Sequence, residues 1–177
     1  MIPLRPYFAK PTLEYPSWII IHHTAELKGL EKQYRYDKPT FLSGKLERMN
    51  YQKNKTPNTG YHYIIEKIGQ DFHPIVSQPI LTKCEWPDLD AKYQNGIHIA
   101  FMGDYNYDIP MTRMYIVIAY RLFYPLMRAF RIKEDRIVAH RDVSNDEEVD
   151  CPGDFLDFDK IKMFARQFRR NIAVKRN

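Results

Sequence analysis

The sequence predicts a single α/β domain, built as a central mixed β-sheet flanked by helices. Three observations predict it. Short runs of β-branched and aromatic residues recur along the chain, and two long segments carry apolar residues at helical spacing. Those runs and segments alternate. The length of 177 residues suits one domain, and 44% apolar against 28% charged residues provide for a real core.

Pro-rich residues 1–16 read as an N-terminal arm over the surface, ahead of a domain spanning 17–177. Trp18 to Thr24 is a buried strand whose polar end carries a His pair. The Lys-rich stretch 26–59 holds a short helix at Leu42 to Tyr51 and a loop at 53–60. Tyr61 to Lys67 is a second strand. Phe72 to Leu81 is a third, which Pro74 and Pro79 push to a sheet edge. Gly96 to Met102 is a further buried strand, closed by Gly103-Asp104.

Thr112 to Arg131 is helical. Arg113, Arg121, Arg128 and Arg131 fall within about 80° of arc, so the helix is expected to show solvent only an arginine stripe. Pro125 predicts a kink or a break in it. Ile137 to Ala139 is a short strand before His140. The last helix, Phe155 to Ile172, carries Phe158, Ile161, Phe164, Ala165, Phe168 and Ile172 at three- and four-residue spacing. Its acidic start and basic end suit the helix dipole.

No apolar run approaches the ~20 residues of a membrane span. The N-terminus lacks the apolar middle of a secretory signal, which predicts a cytoplasmic protein. Cys84 and Cys151 make no disulfide framework and fit a reducing compartment at least as well as one bridge. With 27 basic and 22 acidic side chains the net charge is +5, which points either to simple solubility or to a polyanionic partner. That partner could be nucleic acid or an anionic cell-wall polymer, but the basic residues are scattered and form no nucleic-acid motif, which counts against the first.

Three residues with borderline or soft donor atoms stand at the ends of structured segments: His22, His140 and Cys151. Imidazole and thiolate suit zinc, and three protein ligands leave a fourth tetrahedral position open. Each alone is as readily a core or surface residue, and their spacing is a weak signal.

The surroundings carry more. Trp18-Ile19-Ile20-Ile21-His22-His23-Thr24-Ala25, Gly60-Tyr61-His62-Tyr63-Ile64-Ile65, Ala139-His140-Arg141-Asp142-Val143 and Asp150-Cys151-Pro152-Gly153 follow one another in that order. In this the sequence resembles the type 2 N-acetylmuramoyl-L-alanine amidases, a family that includes phage amidase lysozymes and peptidoglycan recognition proteins. Gly96 to Asp104 resembles the family's central strand, and the likeness covers roughly residues 17–170. It implies the fold of that family, with His22, His140 and Cys151 as zinc ligands and Tyr61 as the catalytic tyrosine beside the metal. It implies a Zn2+-dependent hydrolase of the amide between N-acetylmuramic acid and L-alanine. The partner would be peptidoglycan and the protein a monomer. Lacking a signal, it would reach the wall as an endolysin does, or within a virion, or it would recycle imported wall fragments.

The sequence departs from the family pattern in three places. Val149 stands where many relatives place a Lys or Thr donor two residues before the cysteine. The loop from His140 to Cys151 is longer by about three residues and acidic, with Asp146, Glu147, Glu148 and Asp150. Cys84 falls near where many relatives place a further His in the substrate groove. These departures keep open a peptidoglycan-binding module with weak or no catalysis. His23 and His62 are expected to face away from the ligand and Tyr61, His98 to be hydrogen-bonded inside, and His73 to be exposed.

Overall fold

The computed structural model describes residues 15–24, 60–84 and 86–174, with side chains to 167. Most of the expected arm, the helix at 42–51 and the loop at 53–59 lie outside the described residues.

Five strands form one sheet in the order β3-β2-β4-β1-β5: β1 (Trp18–His23), β2 (Tyr63–Ile68), β3 (Asp71–Val76), β4 (Gly96–Phe101) and β5 (Ile137–Ala139). β1 pairs in parallel with β4 and β5, β2 runs parallel to β4, and β3 is antiparallel to β2. The sheet is therefore mixed, as expected. β1 and β4 lie inside it and are buried along nearly their whole length, which explains their continuous apolar runs. β3 occupies the edge, where Pro74 removes no needed ladder bond.

Side-chain alternation divides the sheet into two faces. Ile19, Ile21, Ile97, Ile99, Phe101 and Ile65 face the helices and form the main core with Met114, Ile118, Phe123 and Ile161. Ile20 faces the other way, joining Leu89 and Val143 under Trp18, Trp86 and Tyr93. His22, two residues beyond Ile20, shares that second face at the C-terminal end of β1.

The first long helix is one continuous rod of three parts: α1 (Thr112–Ile118), a π-helical turn (Ala119–Phe123) and α2 (Tyr124–Phe130). Pro125 does not end it, although the hydrogen bonding changes from α to π just before the proline. The proline sits in the first turn of α2, where its missing N–H costs little. The wide turn before it, with Tyr124 N–H bonded to the Ala119 carbonyl, absorbs the mismatch. Arg131 ends the rod in a left-handed conformation. The exposed stripe is less purely basic than expected, because Ile116 and Tyr120 also lie on it. Arg121 turns to the edge strand instead, donating to the Phe72 carbonyl at 2.8 Å and pairing with Asp71 at 2.8 Å.

The last helix, α3 (Phe158–Val174), begins three residues later than its apolar spacing indicates. Asp157 sets that boundary: its Oδ1 accepts the Lys160 N–H at 2.9 Å, and its carbonyl accepts the first helical bond, from Ile161.

Candidate metal centre and active site

The three residues singled out in the sequence meet at the C-terminal edge of the parallel strands. His22 ends β1, and His140 follows β5 with its N–H on the Ile21 carbonyl at 3.0 Å. Cys151 returns to the same point because Arg141 N–H bonds its carbonyl at 2.9 Å and His23 N–H points at its Sγ from 3.4 Å. One donor atom from each of His22, His140 and Cys151 lies within 4.8 Å of the other two. His22 Nδ1 is 3.8 Å from Cys151 Sγ. Donors around one tetrahedral zinc stand about 3.3–3.6 Å apart, given its usual bond lengths. The His22–Cys151 pair is close to that spacing, whereas the widest pair would have to draw in by about 1 Å to close on an ion.

Gly153 makes the return of the cysteine loop possible. Its φ is +90°, and a Cβ there would lie 2.6 Å from the Asn106 nitrogen, inside any real contact. The glycine lets this loop lie against the segment after β4, where Phe155 N–H bonds the Tyr105 carbonyl at 2.9 Å.

The electrostatics favour neutral imidazoles and oppose a free thiolate. Burial, then the neighbouring His140 and His98, holds His22 well below the usual imidazole range. Burial also lowers His140, against the opposing pull of Asp88. Burial pushes the Cys151 thiol up to about 12, with Asp150 and Asp88 adding to the rise. A cation bound between these side chains would offset that penalty by replacing the thiol proton. His140 Nε2 lies 2.7 Å from Asp88 Oδ2, while its Nδ1 is buried with no hydrogen-bond partner among the described residues. An unpartnered imidazole nitrogen beside a buried thiol is a donor set that suits zinc.

Tyr61 precedes β2 and is partly buried. Its ring centroid is 5.2 Å from that of His22 and 5.5 Å from that of Trp86. Gly60, at φ +81°, turns the chain into place, and its carbonyl accepts Trp86 Nε1–H at 3.1 Å. The structure therefore brings all four sequence-named residues together.

Of the remaining candidates, His23 does face away, with Nδ1 accepting Tyr105 N–H at 3.2 Å and Asp104 3.9 Å off. His62 is buried, accepting His98 N–H on Nδ1 at 2.9 Å and donating from Nε2 to the Thr82 carbonyl at 2.7 Å. Cys84 is buried against His62 and Gln78 rather than open to a groove. Both cysteines are free thiols. His73 is partly exposed beside Asp71. Asp146, Glu147 and Glu148 point to solvent, and Asp150 accepts from Asn106 Nδ2 at 2.6 Å.

Two residues beside the cluster escaped the sequence reading. Trp86 stacks on His22, with centroids 4.4 Å apart and planes 22° from parallel. Asp88 contacts His140 and is held by Ser144 Oγ–H at 2.7 Å. Both lie in a loop without periodicity, so no local pattern could find them.

Solved structures share this architecture. The N-acetylmuramoyl-L-alanine amidase LysC from Clostridium intestinale URNW is similar with a TM-score of 0.62 at 21% identity, over 88% of this chain and 91% of that one. Drosophila peptidoglycan recognition protein SD is similar with a TM-score of 0.60 at 19% identity, over 84% and 81%. Human PGRP-IBETAC, solved in complex with glycosamyl muramyl pentapeptide, gives 0.61 at 18%, over 84% of each chain. The five-stranded mixed sheet and its helices thus share the fold class of these amidases and peptidoglycan recognition proteins. The chain belongs to the N-acetylmuramoyl-L-alanine amidase family, whose model matches residues 12–154. No curated protein matches it in sequence.

Proposed function

We propose that the protein hydrolyses the amide bond between N-acetylmuramic acid and L-alanine in peptidoglycan, using one zinc ion held by His22, His140 and Cys151. The observation that carries this reading is the convergence of those three donors within 4.8 Å beside Tyr61. A bound zinc ion supplies a Lewis acid and a water acidified to a pKa of about 7. The chain's own groups do the rest. Tyr61 offers a phenol O–H to the carbonyl oxygen as negative charge develops on it. Trp86, stacked on His22, walls the ligand from solvent on one side. Asp88 and His98 contact the two histidines and hold their rings.

Family membership and the likeness to the endolysin amidase LysCS from Clostridium intestinale URNW support an endolysin-type role on the bacterial wall. No helix among the described residues is long and apolar enough to cross a membrane. The reading is tested by zinc content together with peptidoglycan digestion. One zinc per chain and chelator-sensitive release of L-alanine amino groups are expected. Retention of stoichiometric zinc in both His140→Ala and Cys151→Ser would sink the ligand assignment.

A second reading, a peptidoglycan-binding module without catalysis, is favoured by one feature. Val149, half-buried two residues before Cys151, has no hydrogen-bonding group to offer a substrate. Binding to insoluble peptidoglycan with no released amines from the zinc-loaded protein would select it.

A further inference from the structure

His22 engages different neighbours with its two ring nitrogens. Nδ1 faces Cys151 Sγ at 3.8 Å, on the side where the donors converge. Nε2 lies 2.9 Å from Nδ1 of His98, and both rings are wholly buried. A neutral imidazole carries one proton, so a lone pair on Nδ1 requires the hydrogen on Nε2. We propose that His98 is a positioning residue for the metal, accepting the hydrogen bond from His22 Nε2–H and so keeping the Nδ1 lone pair directed at the ion. This inference rests on the zinc reading above.

The surroundings hold His98 to that task. In the parallel pairing of β1 with β4, His98 stands opposite Ile20, which puts it on the same face as His22 and one step behind it. Trp86 lies 14° from parallel to the His98 ring and also stacks on His22, so one indole packs against both imidazoles. From the other side, the His98 N–H donates to His62, whose own hydrogen goes to the Thr82 carbonyl. The tautomer of His62 is thereby set by the backbone at both ends.

The choice of residue argues the same way. When His98 Nδ1 accepts, its own hydrogen sits on Nε2, which is buried and has no hydrogen-bond partner. β4 is otherwise apolar at Ile97, Ile99, Ala100 and Phe101. A side chain selected for packing alone would leave no such orphan donor, and a leucine would fill the position without it. A leucine could fill the space and face Trp86, but it could not make the hydrogen bond to His22, the one hydrogen bond of this ring among the described residues. Loss of a hydrogen-bond partner of a metal-bound histidine typically weakens metal affinity about 10- to 100-fold.

The test measures zinc affinity by competition with a chromophoric chelator in the unmodified chain, His98→Leu and His98→Asn. The Asn amide oxygen can occupy the place of Nδ1 and accept the same bond. His98→Leu is expected to lose about 10- to 100-fold in affinity, and His98→Asn to recover most of that loss. A general packing defect would weaken both. A long-range 1H–15N correlation spectrum of the zinc-loaded unmodified protein supplies a readout that needs no variant to fold. His22 should carry its hydrogen on Nε2, protected from solvent exchange. Equal affinity in His98→Leu, no recovery in His98→Asn, or a freely exchanging Nε2–H would overturn the inference. Failure of the unmodified chain to bind zinc would overturn the zinc reading, and this inference with it.

Discussion

Asp88 Oδ2 lies 2.7 Å from His140 Nε2, and the Ser144 hydroxyl donates to that same oxygen at 2.7 Å. The loop carrying Asp88 is tied to the loop carrying the ligands by further contacts, with Asn145 N–H on the Asp88 carbonyl at 2.6 Å and a bridge between Leu89 and Ser144. A carboxylate fixed against one ring nitrogen leaves Nδ1 of His140 for an ion and makes the imidazole a better donor. Asp88→Asn is expected to lower zinc affinity at least about tenfold, and Ser144→Ala to lower it less. Chelator competition measures both. Unchanged affinity in Asp88→Asn would reduce the carboxylate to a loop fastener.

Tyr61→Phe removes one oxygen and leaves the ring that packs near His22 and Trp86. Fold and zinc content are expected to persist, while kcat falls by about 10²–10³, the usual loss for one oxyanion donor. A zinc-replete Tyr61→Phe protein with normal turnover would make Tyr61 a packing residue. In that case Val149→Thr, which adds a hydroxyl in the cysteine loop, becomes the better place to look for a missing donor.

The convergence of His22, His140 and Cys151 was legible in the sequence because each sits in a local motif at a segment end, and the strands because β1 and β4 are β-branched runs. The partners of those three side chains were not. His98 reaches His22 only through the register that sets it opposite Ile20, a relation between strands distant in sequence. Asp88 and Trp86 reach the cluster from an irregular loop whose course depends on tertiary contacts such as Trp86 to Gly60. That the helix runs on through Pro125 was not legible for a local reason: the cost of a proline depends on the turn before it, and here that turn is π-helical. Arg121 illustrates the same limit, since its periodicity marks a solvent face while the edge strand supplies an acceptor within reach.

Gly153→Ala tests the cysteine loop. A left-handed φ and a Cβ pressed against the Tyr105–Asn106 backbone both oppose the substitution. Strain of this kind costs about 1–3 kcal/mol before any clash is added. The variant is expected to melt lower and to hold zinc poorly, because Cys151 moves with the loop. A substitution at Gly69, also at positive φ but with open space around it, should lower stability without touching zinc content. Thermal denaturation and elemental analysis of the two proteins separate strain from site disruption.

Stability should depend on pH through His62. Burial lowers its pKa from 6.5 to about 4, against the raising effect of the Thr82 carbonyl. Between those values the unfolded chain binds a proton that the folded chain does not, so acid favours unfolding. The full stability is present above pH 6.5 and declines as pH falls toward about 4, by up to about 3 kcal/mol from this group. His22 and His98 are lowered in the same sense and add to the decline. Urea denaturation of the chelator-treated protein at pH 7, 5.5 and 4.5 should show the fall, and His62→Gln should flatten it. A level profile in the unmodified chain would mean that His62 is not held neutral by burial.

The bond that is cut follows from the donors at the sheet edge. A zinc centre acts on carbonyl groups, whereas sugar hydrolysis normally uses two carboxylates flanking the acetal, one of them free to protonate it. Among the described residues beside the cluster, Asp88 is engaged with Ser144 and His140, and Asp150 with Asn106. Digested peptidoglycan is therefore expected to show new L-alanine amino groups and intact glycan strands. The net charge of +5 draws the chain to an anionic wall by a field that salt screens. At about 0.15 M salt that field decays within ~8 Å, so lysis should weaken as salt rises further. Zinc content should stay constant over the same range, which separates weaker wall attraction from metal loss. New reducing ends without new alanine amines would overturn the amidase reading, whatever metal the protein binds.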